Sequence, residues 1–382
     1  MKPLNCLMTE DQIMIRDLVH DFVEKELRPV IAEHDKNGTF PMDVYKKACA
    51  MGINCLDLPT EFGGPGFDYL TSTIIREELA WGDAGFAATL GGNGLGFKTI
   101  LMAGNDAQIK HYADIVTGGG FLAFALTEPN SGSDAGATAT TAKKVGDKYV
   151  LNGTKCFISN AGMADAITVL ATVDKSLGAK GMTAFMVDRD TPGLTIGKHE
   201  DKCGQRLSNT AEVVLQDCAI PVENRIGQEG QGFSVAMRTL DRGRAGCAAS
   251  ATGVARAALE YAVDYANQRV TMGKPIIKHQ LVQALLADMS VLVDASRQLA
   301  WTAARMIDAG DPLAGRYASE AKFFATDSCM KVCTDAVQVL GGYGYSKEYP
   351  VEKLFRDAKV YQIYEGTNQI QRTIVAKALG RE

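Results

Sequence analysis

Lys148-Tyr149-Val150-Leu151, followed by Asn152-Gly153 and then Thr154-Lys155-Cys156-Phe157-Ile158-Ser159, is the stretch that decides the fold class. Two β-rich runs flank an Asn-Gly pair, and that pair is favoured where both central turn residues need positive φ. The spacing therefore predicts a hairpin with a type I′ turn. Downstream, Ile167 to Val173, Met182 to Val187 and Glu212 to Leu215 read as further strands, with no room between them for a helix of about ten residues. Strands without crossover helices predict an antiparallel barrel or sandwich, not a parallel α/β sheet.

On either side the period changes. Thr9 followed by Gln12 is a capping box, and Ile15, Leu18, Val19 and Phe22 recur at helical spacing, predicting a helix over 9–28 that stops or bends at Pro29. Further helices are expected near 41–51, with Pro41 in the first turn, and over 69–80 and 105–116, separated by breaks such as Gly63-Gly64-Pro65-Gly66. After Gly230, long periodic segments at 233–268, 275–309, 313–340 and 367–379 predict a four-helix bundle. The chain reads as mainly α with a β middle domain: a helical unit over 1–118, a β domain over 119–228 and a helical bundle over 229–382.

The 382 residues are 46% hydrophobic and 22% charged, an ordinary globular mix that excludes a disordered or fibrous chain. A net charge of −5 leaves no basic excess for a phosphate backbone and argues against nucleic-acid binding. No apolar run is long enough to span a membrane, and MKPLNCLMTEDQ lacks the apolar core of a signal peptide, so the expected location is cytoplasmic with no membrane partner. The nine cysteines are irregularly spaced and read as reduced thiols; Cys329 and Cys333 lie one helical turn apart, but nothing nearby completes a zinc tetrad, and no metal site is expected.

Several common signatures fail. Gly91-Gly92-Asn93-Gly94-Leu95-Gly96 lacks dinucleotide-fold spacing and a preceding strand, and no Walker A sequence is present. Cys203 stands where a zinc protease motif starting at His199-Glu200 needs its second His, and Ser131-Gly132-Ser133 is not a nucleophile elbow. The five histidines are scattered, none beside an obvious nucleophile.

Four segments carry chemistry. Leu126-Thr127-Glu128-Pro129-Asn130-Ser131-Gly132-Ser133-Asp134 is rich in small residues and hydroxyls, either an ordinary polar loop or one that bonds a polar heterocycle or an anion. Arg269-Val270-Thr271-Met272-Gly273-Lys274 ends a helix with two cations and a glycine, as either a cap or a phosphate clamp. Gln338-Val339-Leu340-Gly341-Gly342-Tyr343-Gly344-Tyr345 ends another helix in glycines that permit close approach. Tyr361-Gln362-Ile363-Tyr364-Glu365-Gly366-Thr367-Asn368 sets a carboxylate behind an apolar-aromatic run and before a helix. Glu365 there either complements a helix dipole or, if desolvated, acts as a general base.

Together these segments resemble the acyl-CoA dehydrogenase family, collinearly over essentially the whole chain: A-L-T-E-P-N-S-G-S-D-A-G at 125–136, Q-V-L-G-G-Y-G-Y-S-K-E-Y at 338–349, R-D-A-K at 356–359 and I-Y-E-G-T-N-Q-I-Q-R at 363–372. The resemblance implies a helical N-terminal domain, a middle β-barrel and a C-terminal four-helix bundle, with FAD as cofactor. It places Phe124, Leu126, Thr127, Gly132 and Ser133 around the flavin ring, with Phe157, Ile158 and Ser159 packing behind it. Arg269, Thr271, Gln280, Gln338, Gly341 and Gly342 match positions that hold the pyrophosphate and adenosine across a subunit interface, and Thr367 and Gln369 match further flavin contacts. Ser133, Asp241, Arg244 and Gly366 match acyl-CoA-binding positions, and Glu365 matches the catalytic base, with Ile363 and Tyr364 helping to exclude water.

The implied activity is α,β-dehydrogenation of an acyl-CoA, as in fatty acid β-oxidation, with electrons passed to an electron-transfer flavoprotein by a homotetramer built as a dimer of dimers. The reverse enoyl-CoA reduction and a non-catalytic scaffold role are the alternatives. Phe157 stands where several members carry Trp, Met272 where Phe is usual, and Gly91 where medium-chain members carry Glu at the pocket floor. A residue as small as Gly91 leaves room for a branched, cyclic or aryl acyl group.

Overall fold

The computed structural model describes residues 5–380. α1 (Glu10–Phe22) begins as its capping box requires: the Gln12 N–H donates to the Thr9 hydroxyl at 3.2 Å, and the Thr9 N–H donates to the Gln12 carboxamide at 3.1 Å. The chain then winds through a π turn over 23–27 and a 3-10 turn containing Pro29 before α2 (Ile31–Asn37). α3 (Met42–Ala50), with Pro41 one position earlier than expected, at its cap, leads to α4 (Tyr69–Gly82), α5 (Ala84–Ala103) and α6 (Asp106–Thr117).

α5 was not predicted, because its five glycines (85, 91, 92, 94 and 96) each cost about 0.5–1 kcal/mol in a helix. Tertiary contacts offset that cost. Asp83 caps the helix by accepting from the Phe86 N–H at 2.7 Å, and a Cβ on Gly96 would lie 3.0 Å from Leu122 Cβ, so the glycine lets the helix lie directly on the first strand.

The middle of the chain supplies β1 (Leu122–Ala125), β2 (Thr141–Val145), β3 (Lys148–Ser159), β4 (Ala166–Thr172), β5 (Met182–Asp188), β6 (Leu194–His199), β7 (Thr210–Pro221) and β8 (Arg225–Ile226). The ladder runs β6-β7-β3-β2-β4-β5-β8, with β1 parallel to β4 and a single parallel pairing of β2 with β4. The expected antiparallel barrel or sandwich is corrected on one count, because the sheet is mixed; among the described residues no ladder joins β6 to β8.

The hairpin expected at Asn152-Gly153 is also corrected. These residues lie inside β3, and the turn falls earlier, at Gly146-Asp147, where Val145 pairs with Lys148. Gly153 serves close packing: a Cβ there would lie 2.4 Å from Thr140 Oγ1, and the register to β7 shifts beside it. Tyr149, Leu151, Ile158, Val169, Phe185 and Val213 share the core of this sheet.

The remaining elements are α7 (Gly232–Gln268), the short β9 (Val270–Thr271) and β10 (Lys274–Pro275), α8 (Gln280–Asp308), α9 (Ala314–Leu340), α10 (Val351–Tyr361) and α11 (Asn368–Leu379). α8 starts later than expected because 274–278 form β10 and a turn, and α10 is a fifth helical segment that the sequence did not announce. Alanines of α7, including 248, 251, 255, 258 and 262, are fully buried in the bundle and bring α4, α8 and α9 close around it. The nine cysteines are free, no group of residues suited to a metal ion occurs among the described residues, and no described helix is long and apolar enough to cross a membrane.

Candidate active site

A cavity of about 260 Å³ lies where α4, α5 and α7 meet the sheet and the loop between α10 and α11. Phe124, Leu126, Thr127, Gly132 and Ser133 enter it from the segment after β1, Phe157, Ile158 and Ser159 from the end of β3, Arg244 from α7, and Glu365 and Gly366 from the last loop. Segments more than two hundred residues apart in sequence thus share one wall.

The loop over 126–134 is held from behind. Glu128 is buried and its carboxylate accepts from the Ala139 N–H at 2.7 Å, the Thr140 N–H at 3.0 Å and Lys155 Nζ at 2.7 Å, while Lys155 also donates to the Leu126 carbonyl at 3.1 Å. Burial pushes the Lys155 ammonium down to about 8 although Glu128 opposes the shift, and Lys155, acting against burial, holds Glu128 below its ordinary value. Lys155, a positioning residue with no sequence signature, fastens this loop to β3. Two residues later Phe157 adopts φ 57° and leaves its ring 65% exposed, and a Cβ on Gly132 would meet nothing within 4 Å. The wall therefore offers an uncovered aromatic face beside an open, polar-edged loop.

Glu365 sits at the other side. α10 ends at Tyr361, whose ring meets that of Tyr364 edge-on at 5.4 Å, and the backbone then takes positive φ twice, 55° at Glu365 and 88° at Gly366. A non-glycine residue adopts that conformation only when its surroundings enforce it. Here Gln371 Nε2 donates to both the Glu365 and Gly366 carbonyls at 3.1 Å, and Lys322 Nζ donates to the Gly366 carbonyl at 2.8 Å and to Asn368 Oδ1 at 2.9 Å. Thr367 caps α11 by accepting from the Ile370 N–H at 3.3 Å.

Oε2 of Glu365 is sealed from solvent and has no hydrogen-bond partner; a Cβ on Gly243 would lie 2.5 Å from it. Burial pushes this carboxyl above the ordinary carboxylate range, against the pull of Lys98, Lys322, Arg244 and Arg76. An orphaned carboxylate facing a cavity, with its affinity for protons raised, can accept a proton from a molecule placed there. Arg244 Nη1 pairs with Asp241 and donates to Ser319 Oγ at 3.3 Å.

Other expected site residues lie elsewhere. Arg269, Thr271, Gly341 and Gly342 line a second, shallower cavity with Tyr265 and Tyr343, while Gln280 opens α8, Gln338 stands in the last turn of α9 and Gln369 is exposed on α11. None of these, nor Thr367, lines the central cavity of this chain. Ile363, expected to help exclude water, points outward at 53% exposure; Tyr361 and Tyr364 line the cavity instead. Reading the sequence missed Arg76 and Lys98, which also line it, because isolated cations within helices carry no spacing signal.

Residues 9–119, 123–218 and 230–380 match the acyl-CoA dehydrogenase N-terminal, middle and C-terminal domains, respectively. An acyl-CoA dehydrogenase of Bacillus subtilis is 44% identical over 374 residues, 97% of this chain and 98% of its own length. The solved structure of butyryl-CoA dehydrogenase from Megasphaera elsdenii superposes with a TM-score of 0.95 at 44% identity, covering 99% of this chain and all of that one. A structure described as the electron transferring flavoprotein of Acidaminococcus fermentans, with flavin-based electron bifurcation as its subject, superposes at 0.96 with 44% identity, covering 98% and 99%.

Proposed function

The chain belongs to the acyl-CoA dehydrogenase family, and on that premise we propose that it removes hydrogen from Cα and Cβ of an acyl-CoA thioester to give the trans-2-enoyl-CoA. The observation that carries this reading is Glu365 on the cavity wall, with its Oε2 buried and partnerless. Glu365 takes the α-proton: its carboxylate is fixed in place by the tethered backbone, and desolvation raises its basicity toward that of a working base. The Glu365 N–H would donate to the thioester oxygen, on which charge builds as the α-proton leaves. Arg244, Ser133 and Gly366 on the cavity wall would hold the CoA moiety with Asp241, which pairs with Arg244 but does not line the cavity, and Tyr361 and Tyr364 keep water from the carboxylate.

The exposed ring of Phe157, the open approach at Gly132 and the hydroxyls of Thr127, Ser133 and Ser159 fit a flat heterocycle with polar edges. FAD, when bound there, supplies the acceptor for the β-hydrogen as hydride. Phe124, Leu126, Thr127, Gly132, Ser133, Phe157, Ile158 and Ser159 would hold its ring, with Thr367 and Gln369 as further contacts. Arg269, Thr271, Gln280, Gln338, Gly341 and Gly342 would hold its nucleotide half in the neighbouring subunit of a homotetramer. That assignment accounts for their distance from this chain's own cavity. Electron-transfer flavoprotein is the proposed acceptor, and the units proposed end near 118 and 228. Purified protein is expected to be yellow and to bleach anaerobically on adding butyryl-CoA; a colourless protein that takes up no FAD on reconstitution contradicts the reading.

A further inference from the structure

Two buried cations line the acyl end of the cavity. Arg76 on α4 and Lys98 on α5 both line it, and they are only 9% and 6% exposed. Both converge on a single oxygen: Arg76 Nη2 lies 2.6 Å and Lys98 Nζ 2.9 Å from Oδ2 of Asp57. Against the upward push of burial, the two cations hold Asp57 well below the usual carboxylate range, so it stays ionised. The next carboxylate that acts on both cations is Glu365, the base itself, and Arg76 Nε is buried on the cavity wall with no hydrogen-bond partner. Were the triad only a strut between α4 and α5, one cation would serve Asp57, and a second that leaves a buried donor unmet would be costly.

Glycines shape the space around the pair. A Cβ on Gly246 would lie 2.9 Å from Arg76 Cδ and 3.2 Å from Nε, so this glycine lets the guanidinium lie across α7. Gly243, three residues earlier, faces Glu365 Oε2 in the same way. Three residues of helix advance about 4.5 Å, which is of the order of the three carbon-carbon bonds from Cα to a terminal carboxyl in a five-carbon chain. Gly91, with nothing within 4 Å of its Cβ position, leaves that end of the cavity open.

We infer that the acyl group this chain prefers carries a carboxylate at its far end: a short α,ω-dicarboxylic acyl thioester, with its free carboxylate on Arg76 and Lys98 and its Cα at Glu365. The inference rests on the dehydrogenase reading and adds the substrate class. The distal carboxylate would be bound, not transformed: Glu365 would take the α-proton, and FAD, when bound, would supply the acceptor for the β-hydrogen, as for any acyl chain.

The test compares glutaryl-CoA with pentanoyl-CoA, equal in carbon count, on the flavin-loaded protein by anaerobic bleaching. A charge-assisted contact predicts kcat/KM about tenfold to a hundredfold higher for glutaryl-CoA. Because the contact is the same in ground and transition states, Arg76→Met should collapse that ratio mainly through KM for glutaryl-CoA. Equal or better use of pentanoyl-CoA by the unmodified protein overturns the inference while leaving the dehydrogenase reading intact, and so does an Arg76→Met protein with an unchanged ratio. Failure of every acyl-CoA to bleach a bound flavin overturns both.

Discussion

Two buried ionic clusters lie on α4 and α7, and they are finished differently. In one, Glu77 accepts from Arg256 and Arg297, both at 3.0 Å, and Glu78 accepts from Arg256 at 2.6 and 2.7 Å and contacts His20 at 2.9 Å. Two carboxylates face two guanidiniums, and every carboxylate oxygen is used, although Arg256 Nε has no hydrogen-bond partner. The helices meet so closely that a Cβ on Gly253 would lie 2.2 Å from the Glu77 carbonyl. In the other, Glu365 has a sealed oxygen with no partner, Arg76 and Arg244 each keep an unpartnered Nε, and the backbone at 365–366 is held in a left-handed conformation. The carboxylates of the first cluster are fully used and bind the helices together; in the second, a carboxylate oxygen is left without a partner on a residue that lines a cavity. Burial alone does not mark a site. Unfinished burial does.

The largest effect expected from breaking the closed cluster is on stability. Arg256→Leu leaves Glu78 with His20 as its remaining partner and takes one cation from Glu77, a change expected to cost about 3–5 kcal/mol in denaturant unfolding. An unchanged midpoint would mean that the closed cluster does not hold the bundle.

The same pH axis should separate the two clusters. Despite burial, Arg256 with His20 holds Glu78 down at about 2, so its contribution is present above the unfolded value near 4.5 and is lost as pH falls from there toward 2. Glu365 is shifted the other way, so its ionised form works only above a raised value. The acid limb of kcat/KM for bleaching should therefore rise about tenfold per pH unit with a midpoint above 4.5, in a range where the fold is intact. A midpoint at or below the ordinary glutamate value would contradict the desolvated base.

The helix-β-helix order was legible because apolar periodicity changes twice, near 119 and 230, whereas the place of Glu365 after an apolar-aromatic run left a helix-dipole role open and only the family resemblance singled it out as a base. What escaped had physical causes. Gly153 looked like a turn residue, whereas it marks where β3 passes within contact of Thr140, and its conformational freedom gives the same sequence signal in both cases. α5 was hidden because its glycines weaken helix propensity locally while serving contacts with β1 and with residues 205–208. Arg76, Lys98 and Lys322 come from three different helices, and nothing in their spacing foretells that they surround one carboxylate. The placement of Arg269, Gly341 and Gly342 away from the cavity is likewise invisible in one chain's sequence.

The most direct test is anaerobic flavin bleaching by a Glu365→Gln protein. The substitution keeps the shape and removes the desolvated carboxylate, so the yellow colour and the melting temperature should be retained while the bleaching rate falls about 10²- to 10⁴-fold. Bleaching at the unmodified rate by a folded, flavin-bearing Glu365→Gln protein would contradict the assignment of this carboxylate as the base.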